Sequence, residues 1–119
     1  MAVSVLRERS KEFAIRIVTV CRTAKKGGGE AILLNQLLRS GTSVGANVHE
    51  AQYAQSPKDF ISKLEIALKE CNESDYWVEL LYAVDTISVS DYQELKNTLI
   101  ELRRMLVASV RTMKEKERE

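Results

Sequence analysis

Residues 37–81 read LLRSGTSVGANVHEAQYAQSPKDFISKLEIALKECNESDYWVELL. The clearest punctuation in this stretch is Ser56-Pro57-Lys58-Asp59. Ser56 suits an N-cap, Pro57 the first helical position, and Asp59 stands near the place of a capping-box acid. One helix therefore ends before this turn and another begins at it. Upstream, Leu34, Leu37, Gly41, Val44, Val48 and Ala51 recur at three- and four-residue steps, which puts them on one helical face. Downstream, Phe60, Leu64, Ala67, Leu68, Cys71, Val78, Leu81 and Tyr82 form a second such face. The stretch predicts two long antiparallel helices, over roughly 30–53 and 57–85.

Both helices carry a second face of interest. Gly41 and Gly45 stand four apart on the upstream helix. Each costs about 1 kcal/mol relative to Ala in a helix interior, a cost that makes sense where another helix approaches closely. Away from the core face, Arg39, Ser43, Asn47 and Glu50 fall within a sector about 80° wide. Ser and Asn are mediocre helix formers, so this stripe points to specific polar contacts within or between chains. On the downstream helix Ile66, Trp77, Leu80 and Val84 lie opposite the core face, with Glu73 among them and Tyr76 beside Trp77. A helix apolar on two sides is expected to be buried on both, and Trp and Tyr are favoured interface anchors. This face is the sequence's main argument for self-association. Counting outward from the turn, Arg39 and Glu73 reach similar heights, so a charge-assisted contact between them is expected, within one chain or across a subunit boundary.

The flanking segments follow the same period. Leu6, Phe13, Ile17, Val20, Cys21 and Ala24 mark a helix over roughly 3–25, which Gly27-Gly28-Gly29 ends. No Lys-Ser/Thr follows these glycines and no strand precedes them, so they read as a flexible helix–helix connection rather than a phosphate loop. Ser90 with Gln93 reads as a capping box for a last helix over roughly 91–115. Its seam is Tyr92, Leu95, Leu99, Leu102, Leu106, Val110 and Met113, spaced as in bundle packing. The charged KEKERE after it is expected to fray. The whole is an all-α, antiparallel up-down-up-down four-helix bundle, a single domain over residues 1–119.

Composition agrees with that class. The chain is 45% hydrophobic and 29% charged, with one proline, five glycines and a net charge of +1. Cys21 and Cys71 both fall on apolar faces and read as buried reduced thiols. No apolar run is long enough to span a bilayer and nothing resembles a secretory signal, so a cytoplasmic protein without membrane contact is expected. Charge is uneven: residues 1–28 balance at +5 and residues 55–88 at −4. On the first helix Arg7, Lys11, Arg22, Lys25 and Lys26 share a sector about 100° wide. They form a candidate phosphate-binding stripe for RNA or DNA, or else a solvated face. Along that helix no aromatic residue interleaves with them, which argues against base stacking there.

The run LLRSGTSVGANVHEAQ, followed by SPKDFISKLEIALKE and ESDYWVELL, resembles the four-helix-bundle family of 23S rRNA intervening-sequence proteins. Arg39, Ser43, Asn47, Glu50, Glu73, Tyr76 and Trp77 stand in that family's order and spacing. The resemblance implies a bacterial protein, encoded within or near ribosomal RNA insertions or standing alone. It also implies a homopentameric ring, which would cover the second face of the Trp77 helix. A related, more basic bundle serves reverse transcriptases of diversity-generating retroelements and contacts enzyme and nucleic acid. The family has no established enzymatic activity and supplies no catalytic residues.

Chemistry read from the residues agrees. The sole histidine, His49, has no HExxH or Glu-x-x-His context, and Glu70 and Glu73 have no histidine with them, so neither a metal site nor a cofactor is expected. His49 reads as a packed or hydrogen-bonded surface residue. Two functions remain in view. One is an oligomeric nucleic-acid-binding accessory acting through the basic stripe. The other is a protein-interaction scaffold whose outer faces dock a partner.

Overall fold

The structure, a computed structural model, describes residues 2–118 and, among them, four α-helices and no strand. These are α1 (Ala2–Lys26), α2 (Ala31–Ala51), α3 (Pro57–Ala83) and α4 (Val89–Arg118). Each packs on its neighbour in the chain, and α1 also packs on α4, so the four close around one core. The body is a rod of 52 × 22 × 20 Å. No described helix is long and apolar enough to cross a membrane.

Where two or more side-chain pairs at different heights join neighbouring helices, they count down one helix as they count up the next. Arg7 bonds Gln52 and Lys25 bonds Asn35 between α1 and α2. Arg39 meets Glu73 between α2 and α3. Lys96 meets Asp75, and Lys114 meets Glu65 at 2.9 Å, between α3 and α4. Arg9 and Arg16 reach Glu101 and Glu94 between α1 and α4.

Helix ends follow local chemistry. Ser56 caps α3 by accepting the Asp59 N–H at 3.1 Å, and the Asp59 carboxylate accepts the Gln55 N–H at 3.1 Å. At the end of α1 the Gly29 N–H donates to the Ala24 carbonyl and the Gly28 N–H to that of Lys25, with Gly28 at φ +88°. This is a Schellman termination. The end of α3 repeats it with Asp85, at φ 62°, in the left-handed position. The Thr86 hydroxyl then donates to Glu30 at 2.8 Å, tying the two loops at this end of the rod.

The start of α4 differs from the capping box expected at Ser90 and Gln93. Its cap is Ser88, whose hydroxyl accepts the Asp91 N–H at 3.1 Å. Both serines satisfy the same sequence rule, but Ile87 is buried and fixes the start two residues earlier. At the far end α4 runs through Arg118, past the expected end near residue 115, and Glu119 lies outside the described residues. The Lys114–Glu65 pair anchors it, and Lys116 and Arg118 in the last turn complement the helix dipole.

The core is the set of faces that periodicity marks. Phe13, Ile17, Leu34, Leu37, Leu64, Leu81, Leu95, Leu102 and Leu106 are all fully buried. Ala24, Phe60, Leu68, Tyr82, Tyr92 and Met113 pack at its margin. Three serines, Ser10, Ser40 and Ser74, lie fully buried among them. The Ser74 hydroxyl donates to Ser40 Oγ at 2.9 Å across the α2–α3 seam, so the pair satisfies itself in an apolar setting. The glycines of α2 mark where α1 comes close. A Cβ at Gly41 would lie 2.8 Å from Ile17 Cγ1, and one at Gly45 would lie 3.1 Å from the Ser10 carbonyl oxygen.

Candidate nucleic-acid interface and outer helix face

Seven basic residues lie on α1, and the fold sorts them into two groups. Arg16 pairs with Asp91 at 2.7 Å and with Glu94, and Arg9 pairs with Glu101 at 3.4 Å. Those two charges are spent against α4. Arg7, Lys11, Arg22, Lys25 and Lys26 are all exposed, and none of them forms an ion pair among the described residues. Arg7 donates to the Gln52 side chain and Lys25 to that of Asn35, both neutral. The five stripe residues therefore keep their charge for solvent or a ligand. Sequence spacing identified the stripe; only the fold shows that its two basic neighbours are neutralised.

The outer face of α2 and α3 is organised by Arg39. Its guanidinium binds Glu70 Oε2 at 3.0 Å and also Glu73, both within the chain. Glu73 Oε2 accepts the Trp77 indole N–H at 3.1 Å. The Arg39 hydrogen bond, aided by that of Trp77, holds the Glu73 carboxyl below its usual range. Asn47 turns back to donate to the Ser43 carbonyl at 2.9 Å, while Glu50 is exposed. The polar stripe thus splits: Arg39 joins α3, and Ser43 and Asn47 stay on their own helix. Glu70 as a second partner of Arg39 follows from its position one turn before Glu73.

Around that ion pair the second face of α3 lies open. Ile66 is 40%, Tyr76 59% and Val84 49% exposed. Trp77 and Leu80 are partly buried, and the Tyr76 and Trp77 rings meet edge-on at 5.0 Å. Trp77 is thereby pinned by Glu73 on one side and Tyr76 on the other.

The thiols and the histidine take structural places. Cys21 and Cys71 are buried and free, and burial pushes their pKa up to about 11 and about 12. His49 is exposed and packs on Tyr53, ring centroids 5.5 Å apart. Among the described residues no group of three or more His, Cys, Asp or Glu could hold a metal ion.

The described residues thus form a four-helix protein whose unpaired basic side chains and open aromatic residues lie on outer helix faces. The family model described as 23S rRNA-intervening sequence protein matches residues 4–108, and the chain belongs to that family. A solved structure, described as a protein of unknown function from the S23 ribosomal protein family of Bacteroides thetaiotaomicron, is 42% identical with a TM-score of 0.90. The alignment covers 93% of this chain and 99% of that one. Neither description names an enzymatic activity. No curated protein matches the chain.

Proposed function

We propose that this is a non-enzymatic, cytoplasmic accessory protein that binds RNA or other nucleic acid as a homo-oligomer of antiparallel up-down-up-down bundles. The observation that carries the reading is the sorting of charge on α1. Among the described residues five cations are left without carboxylate partners on one face while Arg9 and Arg16 are neutralised. Lys and Arg on one face supply the sequence-independent part of nucleic-acid affinity. The family's link to ribosomal RNA insertions supports RNA as the polymer.

Assembly rests on the α3 face. Ile66, Tyr76, Trp77, Leu80 and Val84 form an apolar surface that a second copy would cover, and the single domain would then repeat as a ring, as pentamers do in the resembled family. Repetition matters, because a modest basic patch gains avidity when one polymer reaches several copies. The countdown of contacts along neighbouring helices supports the antiparallel order. The same α3 face favours a second reading, a scaffold that docks a different protein.

Charge reversal separates the two. Lys11→Glu with Arg22→Glu should weaken RNA binding at least tenfold, while Arg9→Gln should change it less than twofold. Equal effects of the two changes, or none, would turn the assignment toward the scaffold.

A further inference from the structure

We infer that Tyr53 forms a base-stacking platform at one end of the basic face, so that the polymer bound there is single-stranded. The inference rests on the nucleic-acid reading of α1 and adds what that helix alone does not carry, an aromatic contact. Tyr53 lies just beyond α2 and is 71% exposed, more than Tyr76 at 59%. It is not a loose side chain. Its N–H donates to the Glu50 carbonyl at 3.0 Å, and its ring rests at 56° against His49. The preceding residue, Gln52, receives the Arg7 guanidinium. The hydrogen bond therefore ties a basic group of α1 to the residue that precedes Tyr53, with Lys11 one turn further along the same helix.

This arrangement combines the two features of single-strand sites, a cationic track for the backbone and a π-face for a base. A duplex keeps its base faces stacked on one another, so an open tyrosine ring offers it little. An unpaired nucleotide can lay its base on the ring while its phosphate meets Arg7 or Lys11.

The test is fluorescence anisotropy with two labelled strands of equal length and charge, an oligoadenylate and its fully abasic counterpart. The unaltered protein should bind the oligoadenylate about tenfold more tightly or better. Tyr53→Ala should lose that preference with abasic binding unchanged, and Tyr53→Phe should keep it. Equal binding of both strands by the unaltered protein would overturn the platform and leave the phosphate stripe standing. Weakening of both strands alike by Tyr53→Ala, or a fall in solution mass, would overturn it in favour of a structural or copy-to-copy role. Binding of neither strand would remove the nucleic-acid reading together with the platform.

Discussion

Gly41→Ala tests how the bundle sets α1 against α2. In an open helix the change stabilises by about 1 kcal/mol through helix propensity. Here the new Cβ would stand 2.8, 3.0 and 3.2 Å from Cγ1, Cγ2 and Cδ1 of Ile17. Ile17 is fully buried and β-branched, so it has one comfortable rotamer in a helix and no free space to turn into. Overpacking of this kind costs about 1–3 kcal/mol. The propensity gain offsets part of that, leaving a net loss of about 1 kcal/mol and a Tm about 4 °C lower. Thermal and urea denaturation at fixed protein concentration would measure it. The control is the same change in an Ile17→Ala background, where the obstructing atoms are gone. There Gly41→Ala should be neutral or stabilising by up to about 1 kcal/mol, so the cycle should show a coupling of about 1 kcal/mol or more. Stabilisation of the unaltered protein by Gly41→Ala would refute the close approach.

Other consequences follow from the same structure. Trp77→Ala should lower the solution mass measured by light scattering, because it removes the pinned ring at the centre of the open α3 face; an unchanged mass would contradict its role in assembly. The Glu73 carboxyl is held below 4.5 chiefly by Arg39, so its contribution is present above about pH 4.5 and is lost as pH falls through the lowered folded value. Glu73→Gln should therefore flatten the acid side of the stability curve, and an unaltered slope between about pH 5 and 3 would count against the pair. Cys21 and Cys71, raised to about 11 and 12 by burial, should resist alkylation near neutral pH until the chain unfolds; rapid labelling of the native protein would contradict their burial.

The sequence made the fold legible because four helices of ordinary length each repeat their apolar residues at helical spacing. Leu34 to Ala51 and Leu95 to Val110 are buried as that spacing demands. Arg39 and Glu73 were also legible, since a tight turn at Ser56 lets residues be paired by counting. Ser10, Ser40 and Ser74 were not, because a small hydroxyl on a helix reads equally as surface or seam until its partner is known. The same holds for Arg9 and Arg16, which look like part of a basic helix until α4 brings its carboxylates. Ser88 and Ser90 offer the same cap chemistry two residues apart, and the burial of Ile87 decides between them. Tyr53 escaped notice because its relation to Arg7 runs across a helix pair, through Gln52.

The most direct test of the account is anisotropy of labelled single-stranded RNA with the purified protein across a salt series. The account predicts tight binding at low salt whose logarithm falls linearly with log salt, at a slope of about −0.7 per phosphate contact. Several contacts from the α1 stripe should give a slope of about −2 or steeper. Absence of binding at low salt, or binding indifferent to salt, would contradict it.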